Sequence, residues 1–317
     1  TLLALLPKEV IEKDYGCGDP SRYVQAGDVV LDLGSGSGKI CYMAAQLVGD
    51  SGRVIGVDMN DDMLALARKY QAEMAQKLGG DKVSFVKGQI QDLKTNLDQQ
   101  NNEQPMIADN SVDLVLSNCV LNLVNDSDKK QLVEEIFRVV KPGGRIAISD
   151  IVADEVIPAH LKADPELWSG CISGSFLEDE FLESFKQAGF LAVKYDKWDA
   201  KPWKVVEGIE FRSVTLTAVK GQSVACIDKG HAVIYKGPYA EISDDEGHVY
   251  YRGKRMAVCE RSYNFIINSP YADDFIGISP AKLSEGQAWC APSGTLRPAS
   301  ETKGSQHSQV NSGGSCC

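Results

Sequence analysis

No stretch of the sequence approaches the ~20 consecutive apolar residues of a membrane-spanning helix, so no helical membrane segment is expected. A basic excess is missing too. Lys and Arg number 33 against 44 Asp and Glu, and the net charge of −11 argues against DNA or RNA as a partner. No secretory leader is visible, although the sequence begins at Thr1 rather than Met. No Cys-x-x-Cys pair occurs among the nine cysteines, so a structural zinc site is not expected. They are Cys17, Cys41, Cys119, Cys171, Cys226, Cys259, Cys290, Cys316 and Cys317. An odd number of cysteines, in a chain that is no small secreted scaffold, argues against a disulfide framework and for a reducing, cytoplasmic setting. The bland reading of any one of them is a small buried hydrophobe. Cys41, on the core face of a helix, fits it.

What is present is enough for a sizeable core. The chain has 317 residues, 43% of them hydrophobic, which suits one large domain or two smaller ones. Its most informative stretch is residues 28–60. Val29, Val30, Leu31 and Leu33 form a short apolar run that reads as a buried strand. Gly34, Gly36 and Gly38 make a tight turn, and Ile40, Ala44, Ala45, Leu47 and Val48 follow at helical spacing. A second strand from Arg53 ends on Asp58. Strand, glycine turn, helix, strand and acid form the pattern with which an α/β sheet holds an adenosine ligand. Glycine lets the backbone approach such a ligand, and the Asp58 carboxylate can accept from ribose hydroxyls. The spacing is neither the dinucleotide G-x-G-x-x-G nor the phosphate loop G-x-x-x-x-G-K-[S/T]. Preceded by Asp32, it resembles motif I of the S-adenosylmethionine methyltransferases, whose ligand carries no phosphate.

The rest of the chain extends this pattern. Leu2 to Val10 reads as the end of a helix, and Tyr15-Gly-Cys17-Gly as a loop whose glycines leave Cys17 sterically open. A helix is expected over 61–77 and a strand over 83–86. The strand leads to Ile90, which could pack on a purine face, with Gln89 or Asp92 at the purine's amino edge. Residues 97–110 read as a polar surface insertion. A fourth strand over 111–117 ends at Asn118, which lies where ligands of open α/β sheets bind. Cys119 beside it reads as packed rather than as a ligand contact. A helix over 127–140 is stopped by Lys141-Pro-Gly-Gly144, and a fifth strand covers 145–151. Five strands alternating with helices predict a doubly wound, Rossmann-like parallel sheet, an α/β fold. A helix near 178–188, a strand from Phe190 and a strand over 209–219 complete it. The expected organisation is a ligand-binding domain over 1–156, a lid and the end of the sheet over 157–220, a small β-containing C-terminal domain over 221–298, and a disordered tail over 299–317 ending in Cys316 and Cys317.

Several contexts carry a narrower resemblance. Tyr15-Gly-Cys-Gly, Asp32-Leu-Gly-Ser-Gly-Ser-Gly, Gly56-Val-Asp-Met, Ser117-Asn-Cys-Val-Leu-Asn-Leu-Val, Ser149-Asp and Trp168-Ser-Gly-Cys-Ile-Ser-Gly-Ser are similar to the arsenite S-adenosylmethionine methyltransferases. So are Ala232-Val-Ile-Tyr-Lys-Gly and the terminal cysteine pair. The resemblance spans roughly residues 10–260. It implies methyl transfer from S-adenosylmethionine to arsenite and methylated arsenicals, presented as glutathione conjugates, with arsenic(III) held by Cys17, Cys171 and Cys226. It implies cofactor contacts from Tyr15, Asp32, Gly34, Gly36, Gly38, Asp58, Met59, Ile90 and Asn118. It also implies a cysteine disulfide formed in each cycle and reopened by thioredoxin or glutathione. The chemistry fits independently, because soft arsenic prefers sulfur and its lone pair needs no general base. The family usually carries a further cysteine upstream of the Tyr15 loop that this sequence does not contain, which leaves the reductive half-cycle in doubt. Ser175 stands where Ala is expected. Two rivals remain: a methyltransferase for an organic molecule such as a sterol or quinone, and a non-enzymatic metalloid-binding protein.

Overall fold

A computed structural model describes residues 2–13, 16–99, 103–280 and 285–302. The chain divides into two units at the Lys220–Gly221 link. In the first unit the apolar runs become parallel strands: β1 (Val29–Leu33), β2 (Arg53–Asp58), β3 (Val83–Lys87), β4 (Val112–Asn118) and β5 (Val140–Ala153). After them come β6 (Phe190–Trp198) and β7 (Ile209–Lys220), and the order across the sheet is β3-β2-β1-β4-β5-β7-β6. The first five strands are parallel, whereas β7 runs antiparallel to both β5 and β6. The predicted doubly wound sheet is therefore parallel with an antiparallel edge. The order reverses between β1 and β4, and the C-terminal ends of these two strands open the crevice in which such sheets bind ligands.

Helices cover both faces. They are α1 (Lys39–Ala45), α2 (Asp61–Lys69), α3 (Gln71–Leu78), α4 (Lys129–Val139) and α5 (Glu178–Gln187). One apolar layer joins Val30, Tyr42, Leu64, Met74 and Leu116; the other joins Leu31, Leu33, Val115, Ile136, Phe181 and Phe185. Both layers alternate along the strands, as the pleat requires.

Four expectations are corrected in detail. Leu2–Leu5 is a 3-10 turn followed by a short helix at Lys8–Glu12, rather than one helix end. The helix over 61–77 breaks at Tyr70, whose φ of −98° and ψ of 0° separate α2 from α3. The fifth strand, expected over 145–151, is longer and takes in Lys141-Pro-Gly-Gly144: α4 ends at Val139 because Val140 is already extended, and β5 begins there with its register shifted opposite Val112 and Leu114. Of the polar insertion expected over 97–110, the described residues 103–110 are anchored. Ile107 is buried in the core, and its N–H donates to the Leu93 carbonyl at 2.9 Å.

The second unit is built on the three-stranded antiparallel sheet of Arg255–Ala257, Ala232–Tyr235 and Phe275–Ile278, packed by α6 (Glu260–Asn268). Its core is Val233, Tyr235, Tyr250, Met256, Ile266 and Phe275. The start of the tail expected to be disordered is ordered. Ala299–Glu301 forms a 3-10 turn, Glu301 ion-pairs Arg297, and the Thr302 hydroxyl accepts from Arg255. Residues 303–317, with Cys316 and Cys317, lie outside the described residues. Among the described residues no helix is long and apolar enough to cross a membrane.

Candidate active site

A cleft of about 540 Å³ opens over the C-terminal ends of β1, β2 and β4, within the size range of small-molecule sites. Its wall includes Asp32, Gly34, Gly36, Asp58, Ile90 and Asn118, together with Met59. Each is delivered by a strand end. Gly34 leaves β1 at φ +69°, and a Cβ there would lie 2.4 Å from Val120, so no other residue fits. Gly38 sits behind the turn and starts α1 at φ +84°, against Phe85. Asp58 ends β2. One of its oxygens accepts from Gly36 N–H and the other from Asn60 N–H, both at 2.8 Å. Asn60 in turn caps α2. The carboxylate is thereby tied to the glycine turn from across the cleft. Gln89 lines the cleft, whereas the Asp92 carboxylate accepts from Lys94 N–H. Asp32 is buried and accepts from the Cys41 thiol at 3.2 Å. Burial, with Asp32 beside it, pushes that thiol well up, so Cys41 is an inert core group that also donates. Tyr15 lies outside the described residues.

The cleft fits S-adenosylmethionine on its own geometry. The turn that a Cβ would fill lets the ligand reach the backbone, Asp58 offers oxygens at the ribose position, and Ile90 offers an apolar face. Bound there, S-adenosylmethionine supplies an electrophilic methyl group on a sulfonium.

One wall of the cleft is Cys119, and here the structure departs from expectation. Cys119 is not merely packed. It forms a disulfide with Cys17, 102 residues away, with a Cα–Cα distance of 5.8 Å. No disulfide framework was expected, and this single bond forms because the sheet order places the loop before β1 against the end of β4. The loop is held there. Asn118 accepts from Gly18 N–H and donates to Gly18 carbonyl, both at 2.9 Å, and Ser213 donates to the Cys17 carbonyl. Gly16 and Gly18 do more than leave Cys17 open. A Cβ on Gly16 would sit 1.9 Å from the Asn118 amide, and one on Gly18 2.5 Å from the Ser149 hydroxyl. Only glycine lets this loop come so close.

Cys171 completes the cluster. Its thiol donates to the Cys119 carbonyl at 3.0 Å. It comes from the segment after β5, whose helices Ala159–Lys162 and Pro165–Ser169 pack Leu161 and Leu167 with Ile151, Ile157 and Phe211. Cys119 and Cys171 have φ of +59° and +60°, a left-handed conformation uncommon for any residue but glycine and concentrated at functional sites. Buried Asn122 holds the arrangement, donating to the carbonyls of Ile151 at 2.7 Å and Cys171 at 3.1 Å. Ser175, where Ala was expected, donates to the same Cys171 carbonyl at 3.0 Å. Burial, and next the carboxyl of Asp150, push the Cys171 thiol up to about 12. Asp150 itself is pushed up to about 7 by burial, against the pull of the N–H groups of Ile151, Leu121 and Asn122.

Cys226, the third cysteine implied by the resemblance, belongs to the second unit. Burial, and next the neighbouring Cys259 and Cys290, push its thiol up to about 11. The stretches that carry the resemblance contain Cys119, Asn122 and Asp150, but sequence reasoning gave none of the three a part in the cluster: Cys119 follows β4, Asn122 lies in the 3-10 turn Leu121–Leu123, and Asp150 lies within β5.

A glycine turn, a carboxylate closing it and a cleft over a β1–β4 switch point define an S-adenosylmethionine-dependent methyltransferase, and a methyltransferase-domain family matches residues 25–189. Residues 222–307 match a domain of unknown function. Similarity extends well beyond the methyltransferase domain. An arsenite methyltransferase of Aquipseudomonas alcaligenes is 34% identical over 86% of this chain and 80% of its own length. A human arsenite methyltransferase is 31% identical over 85% of this chain and 72% of its own length. The crystal structure of an arsenic(III) S-adenosylmethionine methyltransferase from Chlamydomonas reinhardtii superposes with a TM-score of 0.65 at 30% identity, covering 89% of this chain and 96% of that one. The chain belongs to the arsenite methyltransferase family.

Proposed function

We propose that this chain methylates arsenite, holding arsenic(III) on Cys17, Cys119 and Cys171 beside the S-adenosylmethionine methyl. The observation that carries the reading is that Cys119 belongs at once to the cofactor cleft and to the three-cysteine cluster. This differs from the set implied by the resemblance in its third ligand: Cys119 replaces Cys226.

The site acts on arsenite in its reduced form, with the Cys17–Cys119 disulfide opened. Three thiols exchange for the three hydroxyls of arsenite, and their protons leave in three waters. No base is consumed, which suits a Cys171 thiol that burial keeps protonated. Three sulfur bonds leave arsenic its lone pair, and that pair is the nucleophile for the methyl. Positioning is then the protein's main contribution. Asn118 fixes the Cys17 loop, Asn122 and Ser175 fix Cys171, and the apolar lid keeps water from the sulfurs. Methyl transfer takes arsenic to the pentavalent state. Two of its thiolates return it to the trivalent state by leaving together as a disulfide, a reading that the Cys17–Cys119 pairing supports. Glutathione or thioredoxin reopens it, which sets the cycle in a reducing cytoplasm.

The test is methyl transfer from labelled S-adenosylmethionine to arsenite with glutathione present. Wild type is expected to methylate. Cys119→Ser and Cys171→Ser are expected to be inactive while still binding S-adenosylmethionine. Cys17→Ser is expected to lose arsenite methylation and keep activity on a monomethylated arsenical, which needs fewer thiolates. An active Cys119→Ser with an inactive Cys226→Ser would restore the set implied by the resemblance and refute this one.

A further inference from the structure

The charged side chains that line the cofactor cleft are Asp32, Asp58 and Lys13. Lys13 is the one cation on that wall among the described residues, and neither the ribose position nor the cysteine cluster uses it. Its place is built. Lys13 caps the C-terminal end of the short helix Lys8–Glu12, with φ −100° and ψ 29°. That helix is seated on the glycine turn: the Ser37 hydroxyl donates to the Val10 carbonyl at 2.8 Å, and Val10 is fully buried. Lys13 follows Val10 by three residues, which sets the two on the same side of a helix. The ammonium is thereby carried to the mouth of the cleft.

The nearby carboxylates are already engaged. Glu9, one turn before Lys13, accepts from Lys69 at 2.6 Å and from the Tyr70 hydroxyl at 2.7 Å. Glu12 pairs with Lys8 at 3.3 Å. The Lys13 ammonium makes no ion pair with any described residue. S-adenosylmethionine brings the matching charge, a carboxylate at its amino-acid end. With Asp58 at the ribose and Ile90 at the adenine, that end is left the rest of the wall, where Gly16 and Lys13 lie. Asp32 and Asp58 alone would repel a carboxylate there, and a cation at the rim offsets them.

We propose that Lys13 binds the carboxylate of S-adenosylmethionine and so makes the cleft select the intact cofactor over its decarboxylated form. The assignment concerns the cofactor and stands whichever cysteines hold arsenic. Lys13 is exposed, so the pair is a solvent-screened, charge-assisted hydrogen bond, worth about 5- to 20-fold in affinity.

The test is calorimetric binding of S-adenosylmethionine and of decarboxylated S-adenosylmethionine, which lacks the carboxylate alone, to the full chain without arsenite. Lys13→Met is expected to weaken S-adenosylmethionine about 5- to 20-fold and to leave the decarboxylated ligand within about twofold. Lys13→Arg keeps the charge and is expected to recover most of the loss. Lys8→Met, which removes a neighbouring exposed charge off the cleft wall, is expected to change neither affinity. Raising the salt is expected to weaken S-adenosylmethionine binding in wild type more than in Lys13→Met. An equal loss for both ligands in Lys13→Met would make Lys13 a support of the helix rather than a carboxylate partner. An unchanged S-adenosylmethionine affinity would give the carboxylate to other groups. Either result overturns the proposal.

Discussion

Replacing Asn118 by Ala tests how the cysteine cluster is held. The Asn118 amide makes two 2.9 Å hydrogen bonds with the backbone of Gly18, one as acceptor and one as donor. They are the clasp that keeps Cys17 against Cys119, since Gly16 and Gly18 pass too close for any side chain of their own. Each such bond is worth about 1 kcal/mol net, so the variant loses roughly 2 kcal/mol of bias toward the closed loop, about a 30-fold drop in effective thiol concentration. For a two-electron couple this corresponds to about 40 mV. Equilibration against glutathione buffers, read by thiol trapping and mass spectrometry, is expected to show the Cys17–Cys119 disulfide easier to reduce by about that amount. Arsenite methylation at subsaturating arsenite is expected to fall roughly 10- to 30-fold. S-adenosylmethionine affinity, measured in parallel, separates loss of the clasp from loss of a cofactor contact. An unchanged potential with unchanged arsenite dependence would refute the clasp.

Other outcomes follow from the same geometry. Asp58→Ala removes the acceptor of Gly36 N–H and the ribose carboxylate together, and calorimetry is expected to show S-adenosylmethionine binding weakened about 10- to 100-fold, or roughly 1–3 kcal/mol. Ser175→Ala loses one hydrogen bond to the Cys171 carbonyl and is expected to cost about 1 kcal/mol in urea unfolding; a neutral effect would deny Ser175 its role. Asp150 is a carboxyl raised on folding from its ordinary 3.8 to about 7. The folded state holds its proton more tightly than the unfolded chain does. Stability is therefore expected to fall as pH rises from about 4 to about 7 and then level, by up to about 4 kcal/mol. Asp150→Asn is expected to flatten that slope in unfolding curves taken across the range, and a slope that persists would assign it to other groups.

Much of this fold was legible because its signals are local. An apolar run, three glycines and Asp58 within the 30 residues from Val29 to Asp58 carry the cofactor half of the site without help from the rest of the chain. The proposed arsenic half was not local. Cys119 follows Asn118 at a strand end, where a buried cysteine is ordinary packing, and nothing within its neighbourhood says that residue 17 lies beside it. That contact exists because β4 adds next to β1, and it needs Gly16, Gly18 and Asn118 to close. The antiparallel β7 was equally invisible, since its apolar pattern is the same in either direction. Cys226 was singled out by its resemblance to a family position, while its thiol neighbours Cys259 and Cys290 come from segments 33 and 64 positions further along. Ser175 could not be interpreted until the Cys171 carbonyl was seen to need donors.

The most direct test of the central assignment is arsenic K-edge X-ray absorption on reduced protein loaded with one arsenite per chain, with Cys290, Cys316 and Cys317 replaced by serine. A three-sulfur shell that drops to fewer sulfurs in both Cys119→Ser and Cys171→Ser is the expected result. A shell unchanged by either substitution would contradict it.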